Sequence, residues 1–169
     1  MKKTITLKVS GTLLLDAIAI VFIIFLGDLS RIVGYPLHTL DPMRMMIILA
    51  FAFTPRWNGW VLAIALPAAA FFLGAHPPMA KAILMGLELL LNVWLFWYLY
   101  DKTKSSILSI LISIVFSKVF YYILKYLCIN QGWLTGNIMD TGLEIQLITT
   151  LVFTLFIFIV FQFGGQSKK

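Results

Sequence analysis

The sequence predicts an all-α membrane protein: one transmembrane domain over residues 1–169, built as a bundle of six transmembrane helices with both termini in the cytoplasm. Three observations predict it: an apolar composition, six apolar runs, and basic residues gathered at alternate run ends. Hydrophobic residues make up 61% of the 169 and charged residues 12%, against roughly 45–50% and about 25% in soluble domains. A sphere this small cannot hide so much apolar surface, so part of it faces lipid.

The runs lie at roughly 11–27, 43–55, 57–75, 79–100, 105–128 and 143–163. A helix rises about 1.5 Å per residue, so about 20 residues cross a hydrocarbon core of about 30 Å. Five runs come close to that length, and the second is short enough to span thinly or to re-enter. Backbone at membrane depth must satisfy itself, which leaves helices or a closed barrel; continuous apolar runs lack the alternation of barrel strands. Met1-Lys2-Lys3 before an apolar stretch mimics a signal peptide. With five more runs behind it and no small-residue cleavage site, it reads as an uncleaved first helix.

The net charge is +6, yet the basic residues form no dense run interleaved with aromatics, so nucleic acid is not the expected partner. With six spans, Lys2, Lys3, Lys8, Arg56, Lys102, Lys104, Lys168 and Lys169 fall on one side. The other side's loops hold Arg31, with Arg44 and Lys81 close to helix starts. The positive-inside rule makes the first side cytoplasmic. Trp94, Trp97, Tyr98 and Tyr100 precede Asp101-Lys102 as an interfacial belt does, with Trp57 and Trp60 at the matching level of the third run. The single cysteine, Cys128, excludes an internal disulfide. The outer connections are the long ones, Gly27 to Pro42 and Ile129 to Gly142, which points to a functional mouth on that side.

Ionisable residues at membrane depth are costly and usually face the protein interior. Glu88 lies about nine residues below the outer end of the fourth run, roughly 13 Å, with Asn92 one turn further on the same face. Lys118, Tyr121, Tyr122 and Lys125 form one stripe on the fifth run. Arg44 opens the second run; Glu144 and Gln146 open the sixth. These residues outline a polar cavity in the outer half, with Glu88, Asn92, Lys118, Tyr122, Arg44, Gln146 and Lys125 as candidate ligand contacts. Plainer readings stay open: an internal Glu88–Lys118 ion pair, a snorkelling Lys125, and Arg44 and Glu144 as interface residues. Asp16 sits apart from the cluster. His76 beside Pro77-Pro78 has no second histidine at metal spacing, and Pro67 kinks a helix or bares a carbonyl. No HExxH, G-x-S-x-G or Walker lysine loop is present, so the expectation is binding without catalysis, cofactor or metal, and without an ATP site.

The central stretch resembles the substrate-binding S components of energy-coupling factor (ECF) importers. Asp41-Pro42-Met43 opens a segment that ends in Phe53-Thr54-Pro55-Arg56-Trp57-Asn58-Gly59, similar to the family's proline-methionine start and "GPKYG"-like turn. Gly74-Ala-His-Pro-Pro-Met79 leading into Met85-Gly-Leu-Glu88-Leu89 resembles the "G-x-PP … MA-x-EL" run of folate, pantothenate and cobalamin-type members. Gly142-Leu-Glu-Ile-Gln146-Leu resembles the opening of the last helix. The resemblance covers roughly residues 41–160. It implies a prokaryotic cell-membrane protein that captures a vitamin-like small molecule from outside and associates with a transmembrane coupling protein and two ATPase subunits. It also implies hydrogen bonds from Glu88 and Asn92, an anion held by Lys118 and Arg44, and stacking on Tyr122. The rival readings are a six-helix membrane scaffold of the MreD (rod-shape) type and a proton-coupled transporter with Glu88 as carrier; no internal repeat supports the latter.

Overall fold

A computed structural model describes the backbone of residues 2–73 and 77–164 and the side chains of 10–73 and 77–162. His76, Lys168 and Lys169 lie outside the described residues, as do the side chains of Lys2, Lys3 and Lys8. The described chain is all helix and turn: α1 (Lys2–Ile24), α2 (Leu26–Val33), a 3-10 turn (Leu37–Leu40), α3 (Pro42–Phe53), α4 (Arg56–Phe72), α5 (Met79–Thr103), α6 (Ser106–Asn130) and α7 (Leu143–Gly164).

The expectation of six membrane-spanning helices is overturned. Among the described residues, three helices are long and apolar enough to cross a membrane: α5, α6 and α7. The count reaches four if α1 and α2, bent by 63° at Phe25, form one span. The six-span count placed both termini on one side, and that placement falls with it. The cause is local. Thr54 takes the extended conformation that a residue before proline favours, so α3 stops at 12 residues, about 18 Å. Past Pro55, α4 runs for 17 residues, about 25 Å, short of a core of about 30 Å.

Burial gives a second reason. In α3, Met43, Met46, Ile47, Ile48, Ala50 and Phe51 are all buried, so its hydrophobicity serves the protein core. Half-exposed or exposed apolar residues are instead concentrated elsewhere. Val115, Phe116, Val119 and Ile123 line the outer side of α6, and Leu147, Leu151, Val152, Leu155 and Ile159 that of α7. Stripes of this extent mark a lipid-facing surface, and the protein is a multi-pass membrane protein.

The core gathers where α3, α4 and α5 meet. Phe51 stacks on Phe96 with ring centroids 4.4 Å apart, and Ile47, Leu62, Leu66, Val93, Ile110 and Ile157 are fully buried around them. A Cβ on Gly59 would lie 3.0 Å from Phe51 Cε1, so hydrogen at this position lets α4 approach the stack. Between α5 and α6, the serines of α6 allow similarly close packing. Ser109, Ser113 and Ser117 are fully buried, and each hydroxyl donates to a carbonyl of its own helix or the preceding turn at 2.7–3.0 Å. Arg56, at the start of α4, makes a bidentate pair with Asp101, at the end of α5, at 2.8 and 2.9 Å. The two helices are therefore antiparallel, and α4 returns the chain to the end at which α3 began.

Candidate binding cavity

At that end the helices line an open cavity of about 770 Å³, within the size range of small-molecule sites. Its wall comes from the α1–α2 bend, the turn before α3, the first turns of α5, the second half of α6 and the start of α7. Asp41 is among its lining residues. This residue is left-handed, with φ 57°, a conformation aspartate tolerates better than most residues. Pro42 follows at the first helical position, where its missing N–H costs nothing.

Asp41 Oδ2 accepts from Lys118 Nζ at 3.0 Å and lies 3.1 Å from Arg44 Nη1, although that second contact lacks hydrogen-bond geometry. The Arg44 guanidinium is wholly buried and donates through Nη2 to Glu88 Oε1. The four side chains thus form one chain of alternating charge, Lys118–Asp41–Arg44–Glu88, linking α6, the turn before α3, α3 and α5. Burial alone would raise the pKa of Asp41; the nearby Arg44 and Lys118 charges outweigh it and hold its carboxyl below the usual range.

A second cluster sits beneath the loop between α6 and α7. Asp140 Oδ2 accepts from both Lys81 and Lys125, each at 2.8 Å. Burial raises the Asp140 pKa, but the two ammonium groups more than offset it and hold the carboxyl below its ordinary value. Tyr122 Oη donates to Gln146 Oε1 at 2.8 Å, and Gln146 Nε2 donates to the Thr141 carbonyl at 2.8 Å. That ties the loop's end to the cavity wall.

Of the residues singled out by sequence, Glu88, Lys118, Tyr122, Lys125 and Gln146 line the cavity, as does Tyr121. Arg44 stands behind the wall and positions Glu88. Asn92 lies elsewhere: fully buried, its Nδ2 donates to Ser113 Oγ at 3.2 Å across the α5–α6 contact. The ion pair open for Glu88 forms with Arg44, while Lys118 takes Asp41. Lys125 is 3% exposed and turns inward to Asp140. Glu144 is exposed. Asp16 is the acceptor for Asn58 Nδ2 at 2.7 Å, away from the cavity.

Two carboxylates that organise the site, Asp41 and Asp140, were not among the sequence candidates. The Asp-Pro start with a basic residue three positions on was a usable signal for Asp41. Asp140 carried none, because its partners Lys81 and Lys125 lie 59 and 15 residues away. Among the described residues no group of three or more metal-ligating side chains comes together. No family model, no curated protein and no solved structure matches the chain.

Proposed function

We propose that the protein is the substrate-binding membrane subunit of an ECF-type importer in a prokaryotic cell membrane. In this reading it captures a vitamin-like micronutrient from outside and passes it on through a separate ATP-driven module. The single observation that carries the reading is the charged chain Lys118–Asp41–Arg44–Glu88 laid along a cavity of about 770 Å³. Buried ion pairs are no better for stability than apolar packing and often worse. Three charged side chains lining a ligand-sized cavity, with the buried Arg44 behind them, are better explained by recognition. The resemblance of residues 41–160 to S components supplies the transport class.

Co-expression of the full chain with an ECF coupling protein and its two ATPases tests the assignment. Under it, the four proteins co-purify and the chain confers ATP-dependent uptake of a small molecule on membrane vesicles. A chain that never co-purifies with such a module and confers no uptake contradicts it.

A further inference from the structure

The charged groups around the cavity fall into three sets whose charges do not all cancel. At the rim, Arg31 pairs with Asp28 at 2.6 Å. In the wall and directly behind it, Lys118 and Arg44 are matched by Asp41 and Glu88. In the third set, two lysines share a single carboxylate, and indeed a single oxygen of it: both Lys81 Nζ and Lys125 Nζ lie 2.8 Å from Asp140 Oδ2. One positive charge is left over. The two ammonium groups are unequally placed: the Lys81 side chain is 34% exposed and the Lys125 side chain 4%, and the buried one, which most needs compensation nearby, has only a carboxylate oxygen that it shares with Lys81. All three residues line the cavity, alongside Tyr121, Tyr122 and Gln146.

We infer that Lys81 and Lys125 form a carboxylate subsite, and that the cavity's ligand is a monoanion whose carboxylate joins Asp140 there so that each lysine gains its own anion. The inference deepens the binding reading given above and rests on it. In the occupied site the deep ammonium of Lys125 holds the ligand carboxylate, while Asp140 keeps the more exposed Lys81. The aromatic faces of Tyr121 and Tyr122 and the amide of Gln146 meet the rest of the molecule. Asp140 stays on its loop, so ligand arrival relieves an excess charge without uncovering the cavity. A dianion would overcharge the set, and a neutral amide would leave Lys125 sharing Asp140 with Lys81 as before. The subsite therefore selects carboxylates over their carboxamides.

The charge count gives a test that a purely structural role would not pass. Full-length protein in phosphatidylcholine nanodiscs, free of competing anionic headgroups, is titrated with matched carboxylate–carboxamide pairs: benzoate and benzamide, nicotinate and nicotinamide, biotin and its amide. For at least one pair the carboxylate is expected to bind about tenfold tighter, the scale of one charge-assisted hydrogen bond. Lys81→Ala balances the set at zero and should abolish that preference, even though Lys81 is not the residue that holds the ligand. The double variant Lys81→Ala/Asp140→Asn returns one net positive charge and should restore it. Asp140→Asn alone should strengthen carboxylate binding.

A preference that survives Lys81→Ala, or that fails to return in the double variant, overturns the inference. So does the absence of any carboxylate preference in the unaltered protein at millimolar concentration, whether or not the amides bind. A neutral or cationic molecule found bound in the cavity would overturn the subsite and leave the importer reading standing. Selective carboxylate binding by a chain that joins no ATPase module would do the reverse.

Discussion

Lys118 donates to Asp41 at 3.0 Å and so fastens the second half of α6 to the turn that starts α3, 77 residues earlier in the chain. With that carboxylate engaged, Glu88 is left to the buried guanidinium of Arg44. The wall of the cavity is thereby a single electrostatic unit, and its members have unequal roles: Arg44 is closed off from the cavity, while Lys118 and Glu88 face it.

Removing Arg44 strands Glu88 in a buried setting and leaves Asp41 with one partner. Breaking one side of a buried pair costs about 3–5 kcal/mol, so Arg44→Met should lower the thermal midpoint by on the order of 10 °C. The double variant Arg44→Met/Glu88→Leu should recover much of that loss. Thermal unfolding in detergent, followed by tryptophan fluorescence, checks both. A single variant as stable as the parent would show that the pair is not buried as described.

Asn92 belongs to helix packing rather than to the cavity. Its hydrogen bond to Ser113 is of a kind worth about 0.5–1.5 kcal/mol between helices in a membrane. Asn92→Ala should therefore reduce thermal stability modestly while ligand affinity stays within about twofold. Affinity measured by calorimetry that fell tenfold or more would place Asn92 in the site after all.

The loop between α6 and α7 should depend on pH through Asp140. Its carboxyl is held below the ordinary value, so the unfolded or released form binds its proton more readily. The tie to Lys81 and Lys125 is therefore fully present above the ordinary carboxylate pKa of about 3.9 and is lost as pH falls through the lower folded value. Hydrogen exchange of residues 131–142, corrected for its intrinsic pH dependence, should be flat from pH 8 to about 5 and should rise only below about 4. Asp140→Asn should raise it across the whole range. Loosening that begins near pH 6 would implicate a different group.

The sequence made several parts of this molecule legible and hid others for identifiable reasons. Although α2 and the 3-10 turn lie almost entirely in the stretch from Gly27 to Pro42 that reads as a connection, the long helices were readable because apolar runs and the Thr54-Pro55 break are local signals. Their relation to the membrane was not, because hydropathy cannot distinguish Ile47, buried against Phe51 and its neighbours, from Val115 or Leu151, which face outward. That blindness is why α3 read as a span; α4, which exposes Val61, Ile64 and Phe72, falls short by length, at 17 residues. The α6 stripe Lys118–Tyr121–Tyr122–Lys125 was visible as helical periodicity and does line one cavity. Its partners were not visible, since the pairing of Lys118 with Asp41 and of Lys125 with Asp140 is decided by tertiary packing. Asn92 shared a helical face with Glu88 by spacing, yet α6 covers that part of the face with Ser113.

The central claim is that the cavity bounded by Glu88 and Lys118 holds a small molecule, and native mass spectrometry of the gently purified protein tests it most directly. A co-purified molecule of vitamin size is expected in one-to-one ratio, depleted at least tenfold in Glu88→Gln and in Lys118→Ala while both variants still insert and fold. A protein that emerges empty, gains no thermal stability from a panel of vitamins, and behaves identically in both variants would contradict it.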